Sequence, residues 1–88
     1  MNVEFRKSFE QDLLEINDKV LLAKVQTTIE LVETVSTPNE ISNLKKLKIK
    51  GSYYRIRVGN YRIGLMLKDD TFTFVRVLPR KEIYRDFP

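Results

Sequence analysis

Apolar residues change their spacing along this chain, and each change marks an element. Asn2–Phe5 alternates briefly and predicts a short strand. Phe9, Leu13 and Ile16 then recur at helical spacing. Ser8, with Gln11 three residues on, predicts a capping box at the start of that helix. Asn17-Asp18 interrupts the pattern and predicts a second cap. One apolar stripe follows: Leu21, Val25, Ile29 (or Thr28), Val32 and Val35. It predicts a second helix packed back on the first. Pro38 closes this segment, because it disfavours helix at Thr37. Ile41, Leu44 and Leu47 recur every three residues, which predicts a short helical turn or a loop pinned to the core.

After the turn signal Gly51-Ser52 the period drops to two. Tyr54, Ile56 and Val58 alternate with Tyr53, Arg55 and Arg57. Gly59-Asn60 is a two-residue hairpin turn. Beyond it, Tyr61, Ile63, Leu65 and Leu67 alternate with Arg62, Gly64, Met66 and Lys68. Asp69-Asp70 makes the next turn. Residues 71–78 alternate less cleanly and predict an inner strand covered on both faces. Pro79 stops it, and residues 80–87 form a short tail. Phe5, Phe9, Phe72 and Phe74 are assigned to the core. The expected fold is α+β, in the order β-α-α-β-β-β with a short C-terminal element. Two helices pack on one face of a small antiparallel sheet, as a single domain over residues 1–88.

Charge sharpens this outline. Residues 44–88 hold twelve Lys/Arg against four Asp/Glu, whereas residues 1–43 hold four against eight. A basic half favours anionic partners: RNA, DNA or an acidic protein segment. With no cysteine and no histidine, disulfides and the usual zinc ligands are excluded, and no cofactor is implied. No apolar run approaches the roughly 20 residues that cross a bilayer, and the start lacks a signal-peptide pattern, so a soluble cytoplasmic protein is expected. If the helices cover the Tyr54/Ile56/Ile63/Leu65 face, then Arg55, Arg57 and Arg62 share the other. That face is either a solvated surface, neutralised by Asp69, Asp70 or Glu82, or an anion site. Lys48 and Lys50, two apart on an apparent strand, could contact a phosphate backbone, as could Lys81; with Lys45 and Lys46, the first two are also readable as a solvated charge run.

The run Gly51-Ser52-Tyr53-Tyr54-Arg55-Ile56-Arg57-Val58-Gly59-Asn60-Tyr61-Arg62-Ile63, followed by Arg80-Lys81-Glu82-Ile83-Tyr84, resembles the RelE/ParE superfamily of bacterial type II toxins. Those toxins typically carry a YRIRVGDYRI hairpin and end in HRKDIY. The order of elements matches over nearly the whole chain. The resemblance implies a toxin held inactive by a cognate antitoxin, with operator DNA contacted only through the antitoxin complex. For the RelE-like branch it implies an endoribonuclease cleaving messenger RNA in the ribosomal A site. There a ribose 2′-OH attacks the adjacent phosphate. By position, Arg55 and Arg57 fall on the paired strand cations and Arg62 on the phosphate-binding arginine. Arg80 falls on the arginine after the last strand, and Tyr84 on the tyrosine that stacks on a base.

Two positions depart from that pattern. Arg57 stands where a lysine base is expected, and a guanidinium is a poor base at neutral pH. Pro79 stands where many relatives have a histidine. Glu82, Lys81, Lys50 and Tyr84 remain as candidates for proton transfer. Two further readings stay open: a ParE-like inhibitor of DNA gyrase, and a degenerate toxin fold acting only through its antitoxin. Arg80 is also readable as the partner of Asp86 in an ion pair, and Tyr84 as packing of the tail onto the sheet.

Overall fold

Strand periodicity in the second half becomes a three-stranded antiparallel meander at the heart of a larger sheet. The computed structural model describes residues 1–88. Its elements are β1 (Asn2–Phe5), α1 (Lys7–Leu14), α2 (Lys19–Thr34), a 3-10 turn at Pro38–Glu40, β2 (Leu44–Lys46), β3 (Tyr53–Val58), β4 (Tyr61–Lys68), β5 (Thr71–Pro79) and α3 (Arg80–Asp86). The sheet order is β1-β5-β4-β3-β2. Gly59 (φ 57°), Asp69 (φ 50°) and Asp70 (φ 60°) take the left-handed backbone that tight hairpin turns demand. No helix is long and apolar enough to cross a membrane.

The sheet departs from expectation in two ways. It is mixed, because β1 runs parallel to β5. β1 is separated from its partner by both helices and by β2, β3 and β4, so no hairpin turn dictates its direction. It also has a fifth strand: β2 pairs antiparallel with β3, Leu44 against Ile56 and Lys46 against Tyr54. The three-residue spacing of Ile41, Leu44 and Leu47 therefore does not form a helical turn there. Ile41 and Leu44 serve the main core, and Leu47 turns to a second cluster.

Helix starts also divide into one expected and one not. Asp18 caps α2, accepting from the Val20 and Leu21 N–H groups at 2.9 and 3.1 Å. The Ser8–Gln11 capping box is absent. Arg6 occupies the cap position of α1 without a side-chain bond, and Ser8 Oγ donates 2.6 Å to the Val75 carbonyl. The reason lies in β5. β1 pairs it only as far as Phe74, and Val75 sits in a bulge, since Arg76 pairs with Gly64 but Phe74 with Leu65. Beyond Phe74 the strand edge is satisfied by α1: Ser8 meets Val75, and Asp12, one turn on, accepts from the Val77 N–H at 3.0 Å. Asp12 also holds Arg76 through two bonds of 2.7 and 3.1 Å.

Between the helices and one sheet face lies the main core, built on Phe9, Val25 and Val32 against Ile56, Ile63, Leu65, Phe72 and Phe74. Each such side chain contributes about 1.5–3 kcal/mol by burial. Phe5 is a correction to the expected core. Its ring lies on Phe9 and Phe74, yet it stays 45 % exposed on the edge strand. The opposite face is partly covered by α3, through Leu78, Ile83 and Phe87 with Leu47, Tyr53 and Val75 around them.

Candidate functional site

The β3–β4 ladder sets Arg57 directly opposite Arg62 and Arg55 opposite Gly64. All three arginines face away from the main core, as the alternation of the two strands predicts. At the end of β5 the Arg80 N–H donates 2.9 Å to the Asn60 carbonyl, which ties the start of α3 to the hairpin turn. Arg80 and Tyr84 are four residues apart on α3 and so share a helix face. Arg55, Arg57, Arg62, Arg80 and Tyr84 line one cleft of about 590 Å³.

The electrostatics of this cleft are one-sided. Arg62 is only 7 % exposed. Its guanidinium donates to the Gly59 and Tyr61 carbonyls at 3.1 and 2.9 Å. Burial, then the charges of Arg80, Arg55 and Arg57, push its pKa below the usual arginine value. The two ion pairs of the molecule, Asp12–Arg76 and Arg85–Asp86, lie elsewhere. Asp69, Asp70 and Glu82 do not line the cleft, and Asp86 pairs with Arg85 instead of Arg80. Like charges directly opposite on a sheet are unfavourable, so an entering anion gains from four guanidiniums at once. Five-donor forks of this kind suit phosphate oxygens.

Tyr84 is held by Arg55. The Arg55 guanidinium donates to the Tyr84 hydroxyl, and its carbon lies 5.0 Å from the ring centroid. The tyrosine remains 56 % exposed. The tail is anchored by Ile83 and Phe87 instead, so packing onto the sheet does not bury Tyr84.

The lysines rearrange. Lys48 and Lys50 lie in the irregular segment after β2, not on a strand, because pairing with β3 ends at Lys46. Neither lines the cleft, nor does Lys81, which is exposed in the first turn of α3. Lys45 does line it, directly across from Arg55. Asn43, also lining, donates 2.8 Å to the Arg57 carbonyl. Strand parity would have placed Lys45 beside Arg55 had β2 been recognised. Of the four candidates for proton transfer only Tyr84 is in the cleft. Glu82 lines a separate cleft with Asp12 and Arg76.

Comparison with known proteins identifies the family and the fold. A sequence model of the ParE toxins of type II toxin–antitoxin systems (parDE) matches residues 3–84. Toxin RelE3 of Methanocaldococcus jannaschii is 42 % identical over 89 residues, covering 100 % of both chains. Among solved structures, the RelB–RelE antitoxin–toxin complex from Methanococcus jannaschii matches with a TM-score of 0.81 and 40 % identity, over 97 % of this chain and 99 % of that one. The archaeal RelE–RelB complex from Pyrococcus horikoshii OT3 shares the fold, with a TM-score of 0.73 at 23 % identity over 90 % and 93 % of the two chains. With a full-length relative at this identity and a family match over almost the whole chain, the protein belongs to the ParE toxin family of type II toxin–antitoxin systems, as a toxin of the RelE-like kind.

Proposed function

We propose that this toxin is a ribosome-dependent endoribonuclease that cleaves translated messenger RNA in the cytoplasm, and that a cognate antitoxin inhibits it. The observation that carries this reading is the convergence of Arg55, Arg57, Arg62 and Arg80 on one cleft that no carboxylate enters. In the proposed reaction a ribose 2′-oxygen attacks the adjacent phosphorus. The P–O5′ bond breaks, leaving a 2′,3′-cyclic phosphate and a 5′-hydroxyl, and the 2′-proton ends on the leaving oxygen or on solvent. Arg57 and Arg62 hold the non-bridging oxygens as charge builds on the phosphorane. Arg80 sits at the leaving oxygen, and Tyr84, oriented by Arg55, stacks on a base. Lys45 continues the positive track toward the RNA backbone, and Lys48, Lys50 and Lys81 contribute more distant phosphate contacts. The antitoxin is proposed as an acidic or amphipathic chain covering the helices and the basic face.

Transient expression without antitoxin, with mapping of transcript ends, tests the proposal. Cuts in translated transcripts that vanish for Arg62→Ala support it, while intact transcripts and undiminished growth would overturn it. One observation favours a second reading, a ParE-like inhibitor of DNA gyrase. No lysine base stands at Arg57 in the cleft, and no histidine stands at Pro79, which lines the neighbouring cleft. A DNA-damage response with intact transcripts would select it.

A further inference from the structure

α3 is positioned by a socket in β4. Gly64 is buried in the middle of that strand, on the same sheet face as Arg62 and directly across from Arg55. A Cβ at Gly64 would lie 2.7 Å from Cδ1 of Phe87 and 2.8 Å from both Cδ2 and Cε1. Similar distances to both sides of the ring mean that Phe87 lies flat over the glycine. Phe87 is itself buried, meets Tyr53 edge-on with centroids 5.7 Å apart, and closes the last turn of α3 by donating its N–H to the Ile83 carbonyl at 3.0 Å. Three residues earlier on the same helix, Tyr84 is bonded to Arg55. The Arg55–Gly64 cross-strand pair is thus read twice by α3: Tyr84 takes the arginine and Phe87 takes the space left by the glycine.

We propose that Gly64 and Phe87 are positioning residues for Tyr84, acting through the seat of α3. The inference rests on the ribonuclease reading only for its consequence on cleavage. Any side chain at position 64 collides with the ring and lifts the end of α3, drawing Tyr84 off Arg55. The main core is unaffected, because α3 contributes nothing to it. A misplacement of about 1 Å at a reacting group costs on the order of 100-fold in rate.

The test uses the full chain carrying fluorotyrosine, with the Tyr84 resonance assigned by Tyr84→Phe. Gly64→Ala should shift that resonance, speed hydrogen exchange of the Phe87 amide and leave α2 amides protected. Cleavage of translated transcripts should fall on the order of 100-fold. Gly64→Ala with Phe87→Leu, which relieves the collision, should restore all three. Phe87→Ala empties the socket without a collision and should reproduce the loss even where Gly64→Ala does not fold. An unmoved Tyr84 resonance in both single variants would overturn the proposal, whereas a displaced Tyr84 with full cleavage would leave the socket standing and overturn its consequence for cleavage. An inert wild-type protein whose Tyr84 resonance still answers to these substitutions would refute the ribonuclease reading and leave the socket standing.

Discussion

Arg57 and Arg62 stand directly opposite each other in the β3–β4 ladder, and no acidic side chain separates them from Arg55 or Arg80. The folded state therefore carries a repulsion that a multivalent anion relieves. Sulfate or phosphate at ten times its dissociation constant should stabilise the protein by about 1.4 kcal/mol. For a chain of this size that is roughly a 6–11 °C rise in Tm. Arg57→Ala, an exposed substitution, should abolish most of the increment without lowering the anion-free Tm. Equal increments in the two proteins, measured by calorimetry at matched ionic strength, would place the anion elsewhere.

The same cleft fixes a pH dependence of cleavage. Its lining holds no carboxylate and no imidazole, the side chains that ordinarily change charge between about pH 4 and 7. The rate constant on programmed ribosomes should be flat between about pH 6 and 8. A bell centred near pH 7 would reveal a proton carrier supplied from outside this chain. Arg57→Lys, which puts a titratable amine in place of the guanidinium, should make the rate rise with pH over the same window.

Asp12 and Arg76 form the pair that the sequence conceals. They lie 64 residues apart, on a helix and a strand whose packing no local signal announces. Tyr53–Lys68 was legible because alternation and the Gly59-Asn60 turn fix parity and register together. β2 was not, since three edge residues reading Leu-Lys-Lys cannot display a period. Gly64 is one more member of the β4 alternation, and nothing local announces that Phe87 lies on it. Asp12→Asn should weaken the bidentate bond to Arg76 and the cap on Val77, costing about 1–3 kcal/mol. The Arg76 pKa is raised, first by its hydrogen bonds to Asp12. That contribution is therefore complete below the unfolded-state value and is lost only as pH rises through the still higher folded value. Chemical denaturation from pH 6 to 9 should show a constant difference between Asp12→Asn and wild type. A difference that shrank toward pH 9 would contradict this.

Glu40 gives the opposite sign. Its carboxylate accepts from the Ser36 and Thr37 N–H groups at 2.9 and 2.8 Å. Those bonds, Thr37 first, pull its pKa below the ordinary glutamate value. The stabilisation is present above the unfolded-state value and disappears as pH falls through the folded one. NMR titration should show the Ser36 and Thr37 amides moving together with the Glu40 side chain in that acid range. In Glu40→Gln the coupled movement should vanish.

Position relative to the cleft separates the lysines. Lys45 lines it across from Arg55, whereas Lys48, Lys50 and Lys81 are exposed outside it. A lysine that neutralises one phosphate of single-stranded RNA contributes about 0.7 to the slope of log affinity against log salt. Lys45→Ala should remove that increment and also lower the cleavage rate at saturating substrate, because its charge reaches the reacting phosphate. Lys48→Ala, Lys50→Ala and Lys81→Ala should each reduce binding and the salt slope while leaving the saturated rate unchanged. Position explains the split: a lysine outside the cleft lining does not meet the reacting phosphate, yet it still displaces counterions from the backbone it touches. A saturated rate that fell equally for Lys45→Ala and Lys50→Ala would show that RNA reaches the cleft along a path that engages the loop after β2 during the chemical step.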